Sequence, residues 1–310
     1  MKREANRAYF GIFDGHGGSI VSDWLSARLH EKIETVSLND LPDIMSTLRT
    51  YRGYFRRFQI PPVLRDLVDE HGQPLASVDP TDLTIEQRLT LGFLQADIEC
   101  LQSLRKEKND AHHANEGSTG SVAIVEPHDG KPFWDSDQYD IIIGHVGDTR
   151  ILLCDANSGE AVMLTSGDHH PGNPTEQERL RRYAGFVTTD SWGDDRILGM
   201  LATSRAFGDA RLKSYGVSAE PDVIRYSVLV TDGVTSTMSD QEIVDFVKEK
   251  KDPTSSVLRL VDAGDQLDAD DNVSAMVVRL KSWGTRMHDF TSDLRKYRLE
   301  NSGMSNRQSW

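Results

Sequence analysis

The segment Tyr9-Phe10-Gly11-Ile12-Phe13 runs directly into Asp14-Gly15-His16-Gly17-Gly18, and this junction restricts the fold more sharply than any other stretch of the chain. An apolar run with aromatic and β-branched residues reads as a buried strand, and the abrupt Asp-Gly-His-Gly-Gly marks where the backbone leaves its sheet. A carboxylate is thereby delivered to a strand end. The clustered glycines let the main chain turn tightly and bring its carbonyl and N–H groups against a ligand. Asp14 offers a hard oxygen donor and His16 a titratable ring. Two readings fit: a metal site with an acid beside it, or a glycine-rich strand-to-helix turn whose Asp14 caps the next helix. The pentapeptide as a whole favours the first.

A chain of 310 residues forms one large domain or two ordinary ones, with room for a substantial core. With 37% hydrophobic and 27% charged residues, a folded soluble protein is expected. The formal net charge of -14 argues against a nucleic-acid partner, because phosphate backbones call for a concentrated basic face. Only Cys100 and Cys154 occur, without disulfide or zinc spacing, so an intracellular, reducing compartment is expected. No run reaches membrane-spanning length, so no membrane insertion is expected, and residues 1–7 do not read as a targeting segment. So little sequence precedes the first strand that the chain reads as starting inside a domain.

Along the chain, residues 19–36 form an amphipathic pattern, with Val21, Leu25, Leu29 and Ile33 at every fourth position. Residues 41–90 read as an insertion. Its cluster of Arg49, Arg52, Arg56 and Arg57 is a solvated face or a grip for a phosphorylated partner. Helical spacing returns over 91–104, and the loop 106–116, with His112 and His113, reads as exposed. Strands follow at 121–125, 139–146, 151–154 and 161–164. A helix then begins at Asn173-Pro174-Thr175-Glu176, with Asn as cap and Glu at the third position, and ends at Gly185. His169 and His170, just ahead of it, are substrate contacts or ordinary loop residues. Consecutive strands without alternating βα units favour α+β over a parallel doubly wound sheet.

Two more acids sit at strand ends. The run 227–231 enters Asp232-Gly233, and Asp270-Asp271-Asn272 opens a strand over 273–280, while Ser239-Asp240-Gln241-Glu242 caps a helix between them. Asp14, Asp232 and Asp271 are thus far apart in sequence but similarly placed. Carboxylates converging at one end of a sheet suit hard cations such as Mg²⁺ or Mn²⁺ and metal-assisted hydrolysis.

Several segments, in order, resemble the motif series of the metal-dependent protein phosphatases of type 2C. They are Asp14-Gly15-His16-Gly17-Gly18, Gly117-Ser118-Thr119-Gly120, Gly147-Asp148-Thr149-Arg150, Asp168-His169-His170-Pro171, the block 201–209, Asp232-Gly233 and Asp271-Asn272-Val273-Ser274. The resemblance implies a two-sheet antiparallel β-sandwich flanked by helices. It also implies two Mn²⁺ or Mg²⁺ ions, and phosphoserine or phosphothreonine proteins hydrolysed by a metal-activated water. Carried over by motif, Asp14 bridges both ions, the Gly15 carbonyl binds one, Asp232 and Asp271 bind the other, and His16 is the general acid.

The sequence departs from the family pattern in four places. The strand that usually precedes the Asp-Gly-His-Gly-Gly strand, with a phosphate-binding arginine and a Glu-Asp pair, has no counterpart. Ser236 stands where many members place an acid for a third ion. The connection from Pro221 to Val230 is compressed, and so is the segment from the helix at 241–250 to Asp271. These departures favour, as the alternative class, an impaired phosphatase-like module that binds or regulates phosphoproteins. The domain layout expected is a catalytic domain over 1–281 and an extension over 282–310, with Leu294, Tyr297 and Arg298 on a short helix against the core. A monomer is expected, located in the cytoplasm or, by analogy with relatives that carry a similar insertion, in mitochondria.

Overall fold

The computed structural model describes residues 7–50, 60–106, 115–136, 138–155, 158–183, 186–191, 193–225, 229–230, 238–248, 252–267, 272–278, 280 and 288–301. Strands β1 (Ala8–Ile12) and β2 (Gly15–His16) lead into helices α1 (Ile20–Thr35), α2 (Leu41–Arg49) and α3 (Ile85–Lys106). Then come β3 (Gly117–Ser118), β4 (Gly120–Pro127), β5 (Tyr139–Val146), β6 (Arg150–Cys154), β7 (Ala161–Met163) and α4 (Pro174–Arg181). After them run β8 (Val187–Thr189), β9 (Asp195–Ile197), β10 (Phe207–Gly208), β11 (Asp222–Arg225) and β12 (Leu229–Val230). The chain continues with α5 (Asp240–Lys248), α6 (Pro253–Gln266), β13 (Ala275–Met276) and α7 (Ser292–Asn301).

Two antiparallel sheets, ordered β1-β4-β5-β11 and β13-β12-β6-β7, make the expected sandwich. Side chains alternate along each strand and so divide between two cores. Ile12, Ala123, Val125, Ile141 and Ile143 face inward and meet Ile151 from the second sheet. Their neighbours Val122, Ile124, Ile142 and Val146 face outward against Leu25 and Leu29 of α1 and Leu89 and Phe93 of α3. On the far side, Leu152 packs under Ile243 and Val244 of α5 and Leu260 of α6. The four layers are helix, sheet, sheet, helix. Gly92 permits the tight α1–α3 contact, since a Cβ there would lie 3.0 Å from the Ile33 Cα.

The compressed segment 221–230 carries two strands after all, β11 in the first sheet and β12 in the second, so the chain changes sheets between residues 225 and 229. Of the strand expected over 273–280, Ala275–Met276 alone is laddered among the described residues, to β12. The segment ahead of Asp271 holds α6, whose Asp252 side chain accepts from the N–H groups of Thr254 and Ser255.

Helix α3 starts earlier than the expected 91, because Thr84 and Gln87 form a reciprocal cap: Thr84 N donates to Gln87 Oε1 and Gln87 N to Thr84 Oγ1. The helix is buried along two stripes. Leu89, Phe93 and Cys100 face the sheet. Leu91, Leu94, Ile98 and Leu101 face a second core built with Leu41, Ile44, Leu48 and Leu64. The expected insertion is therefore packed onto α3, at least over its described residues. Arg52, Arg56, Arg57, His112, His113 and Gly185 lie outside the described residues.

Two local expectations change. Asn173 does cap α4, accepting from Thr175 N, but Glu176 turns inward to bind Arg179 and Arg205. Helix α7 exists, yet Leu294 and Tyr297 are exposed, and the helix is held by charge. Arg298 Nη1 lies 3.1 Å from Glu242 Oε2, and Arg295 Nη1 lies 3.5 Å from Asp245 Oδ2. Among the described residues no helix is long and apolar enough to cross a membrane.

Candidate active site

A short ribbon ordered β10-β3-β2 draws together three motifs distant in sequence. His16 pairs with Gly117, and Gly117 pairs with Gly208, so the residue after Gly208 arrives beside His16. Asp209 Oδ2 lies 2.7 Å from His16 Nε2. An ionised carboxylate only accepts, so the Nε2–H donates. Gly117 makes this possible: a Cβ there would collide with both His16 Nε2 and Asp209 Oδ2. The turn after β1 is tied to the same ribbon. Thr119 N donates to the Asp14 carbonyl at 2.9 Å and Ser118 Oγ donates to it at 3.0 Å. The helix-capping role that the sequence offered Asp14 falls to Glu116, whose Oε2 accepts from Ile20 N at the start of α1.

These residues border a cleft of about 570 Å³, lined by Asp14, Gly15, His16, Asp148 and Asp209 together with Arg196, Met200 and Leu201. Asp14, Gly15 and His16 all line this cleft. Asp232, Asp271 and Ser236 lie outside the described residues. Among the described residues no three His, Cys, Asp or Glu side chains form a ready metal cluster. Asp148, Asp209 and Arg196 were not singled out from the sequence as site residues. For the two acids a signal was present: each follows a glycine at a sharp turn, with φ +108 at Gly147 and +75 at Gly208.

Burial opposes charge on His16, but the hydrogen bond to Asp209 and the negative charge of Asp209, Asp148 and Asp14 outweigh it, raising the pKa above the usual histidine value. His169, by contrast, is buried and structural. Its Nδ1 accepts from Gly147 N at 3.0 Å, its Nε2 lies 3.2 Å from Asp222 Oδ2, and burial holds its pKa below normal. It braces the turn that carries Asp148. Asp222 also binds Arg205 at 2.8 Å, and Arg205 binds Glu176 at 2.7 Å. The block at 204–209 is therefore a buried ionic frame ending in Asp209. Arg150 pins the other side of the Asp148 turn through Asp168 and Asp240.

Fold and site together are thus a helix-flanked antiparallel sandwich bearing a cleft lined by carboxylates and a histidine. The protein phosphatase 2C family profile matches residues 63–273. The chain is 36% identical to protein phosphatase 2C homolog 4 of Schizosaccharomyces pombe, across 97% of this chain and 78% of that protein. The chain belongs to the protein phosphatase 2C family. It is 28% identical to protein phosphatase 1K, mitochondrial, of Xenopus laevis, across 89% of this chain and 61% of that one. A solved serine-threonine phosphatase 2C from Toxoplasma gondii shares the fold, with a TM-score of 0.58 at 20% identity, over 88% of this chain and 83% of that chain.

Proposed function

We propose that the cleft hydrolyses phosphoserine and phosphothreonine in protein substrates with two Mn²⁺ or Mg²⁺ ions. Asp14, the Gly15 carbonyl, Asp232 and Asp271 hold the ions, and His16 donates a proton to the departing serine or threonine oxygen. The observation that carries this reading is the meeting of Asp14, Gly15 and His16 with Asp148 and Asp209 in one cleft of this fold.

The donor set fits hard cations. Three carboxylates, those of Asp14, Asp148 and Asp209, line the cleft, and neither cysteine does. Gly15 is packed where a Cβ would lie 2.5 Å from Ser22 Oγ, so its backbone lies close against α1 with no side chain of its own between. Support for the two distant acids comes from their described neighbours. Val230 pairs with Arg150 and with Ala275, so the strands leading to Asp232 and away from Asp271 run beside the turn that carries Asp148. When bound, a pair of such ions neutralises phosphoryl charge and lowers the pKa of water. The protein's own part is to hold the protonated imidazole at the leaving oxygen, a contribution typically worth about 10²–10⁴ in rate.

The test is release of phosphate from a phosphothreonine peptide with and without Mn²⁺. Turnover that requires the metal and is lost in Asp14→Asn is expected. A folded protein that binds the phosphopeptide but never turns it over is instead a phosphopeptide-binding module. We place the protein inside the cell, in the cytoplasm or in mitochondria, the second being the location that the frog relative's name gives for that protein; cell fractionation separates the two.

A further inference from the structure

We propose that Asp209 is a positioning residue that fixes the ring of His16, and that a buried Asp97–Lys213 pair sets the turn that delivers it. The inference rests on His16 being the proton donor. Asp209 is 2% exposed and holds His16 Nε2 at 2.7 Å, while His16 itself is 30% exposed toward the cleft. His16 Nδ1 has no hydrogen-bond partner among the described residues. With Nε2–H committed to a carboxylate, Nδ1 is the nitrogen left to exchange a proton with substrate.

The turn carrying Asp209 is one that a peptide adopts only under constraint. Gly208 has φ +75 and Asp209, a non-glycine residue, has φ +48. Four contacts hold it. Asp209 N donates to the Glu116 carbonyl at 2.9 Å. Gly208 N donates to Asp97 Oδ1 at 2.8 Å, and Asp97 Oδ2 lies 2.7 Å from Lys213 Nζ. Lys213 Nζ then donates to the Ala206 carbonyl at 2.8 Å, closing the loop around the turn. Both side chains of the pair are buried, so the ions serve geometry at the cost of their own hydration. Helix α3, which carries Asp97, thereby sets the orientation of a ring more than eighty residues away in sequence.

The experiment compares a phosphothreonine peptide, whose leaving alkoxide needs a proton, with 4-nitrophenyl phosphate, whose leaving phenolate does not. His16→Gln sets the reference pattern: a large loss of kcat on the peptide and a small one on the aryl ester. Asp209→Asn is expected to follow the same pattern, losing about ten- to a hundredfold on the peptide with KM little changed. Gly117→Ala, whose methyl enters the His16–Asp209 contact, is the second variant and does the same if Asp209→Asn folds poorly. In the metal-free protein, the imidazole ¹H–¹⁵N spectrum of His16 is expected to show a protonated Nε2 that changes in Asp209→Asn. Equal losses on both substrates, or an unchanged His16 spectrum in folded Asp209→Asn, overturn the positioning role. Equal losses in His16→Gln itself overturn the proton-donor reading, and the positioning role with it.

Discussion

Lys213 Nζ and Asp97 Oδ2 lie 2.7 Å apart with side-chain exposures of 2% and 3%. A pair so deeply buried gives little net stability compared with a well-packed apolar pair, but losing one partner strands the other charge. Lys213→Met is therefore expected to cost roughly 3–5 kcal/mol in urea unfolding. Lys213→Met combined with Asp97→Leu is expected to cost less than Lys213→Met alone. A single replacement within about 1 kcal/mol of wild type, on the scale of an exposed pair, refutes the buried-pair account.

The ionic frame behind the Asp148 turn predicts a two-stage loss of stability in acid. Burial holds His145 and His169 below the usual histidine pKa of 6.5, so the unfolded chain binds protons that the native one refuses, and stability falls as pH drops below that value. His16 acts in the opposite sense, one ring against two. For Glu176, burial opposes ionisation, but Arg179 and Arg205 outweigh it and hold the carboxyl below its usual 4.5. Asp222 is held below its usual 3.8 by the His169 hydrogen bond and Arg205, again against burial. Both carboxylates contribute above those values and lose their contribution as pH falls through the depressed native values. Urea midpoints are expected to be flat at neutral pH, to decline below 6.5 and to fall more steeply below 4.5. Glu176→Gln is expected to weaken the second decline and leave the first in place. An unchanged acid limb in that variant counts against the frame.

The sandwich was legible because its signals are periodic: Val21, Leu25, Leu29 and Ile33 mark one helix face, and β4 and β5 are long enough to read as strands. The meeting of His16 with Asp209 was not. They are 193 residues apart, and β2, β3 and β10 are two-residue strands too short to carry an alternating pattern. The α3 stripe at Leu91, Leu94, Ile98 and Leu101 was legible as helical spacing, but what it packs against was not, because those partners lie in a segment whose own signals are mixed. Glu176 occupies the third position expected of a capping box, but Arg179 of its own helix and Arg205, arriving from another part of the fold, draw it inward. Local rules failed where a distant charge offered a stronger partner.

Gly17 and Gly130 form a natural comparison, since both have left-handed backbones, with φ +72 and +74. A Cβ at Gly17 would lie 2.6 Å from the Asn115 carbonyl oxygen, whereas one at Gly130 meets nothing within 4 Å. Gly130→Ala is expected to cost about 1 kcal/mol from backbone strain alone. Gly17→Ala carries the same strain plus a clash, next to His16, and is expected to lower turnover on a phosphopeptide at least about tenfold, since small misplacements of catalytic groups cost that much or more. Thermal melts and steady-state rates on the two variants decide it. Equal effects of the two substitutions refute the steric argument.

Asp14, Asp148 and Asp209 each act on His16 electrostatically, so the cleft gathers negative charge with His16 and Arg196 as its lining cations. Such a cluster is self-repelling until a divalent cation enters, and a ligand that binds only the native state stabilises it by mass action. Mn²⁺ at about a hundred times its dissociation constant is expected to add about 2.7 kcal/mol per site, read as a rise in melting temperature that EDTA reverses. Under the proposed ligand set, Asp14→Asn removes one ligand and one of the repelling charges together. It is therefore expected to melt at or above the wild-type temperature without metal and to lose most of the Mn²⁺-induced rise. His16→Gln is expected to keep that rise, because the ring is not counted among the ligands. If Asp14→Asn keeps the full rise, Asp14 is not a ligand and the ions have been placed on the wrong residues.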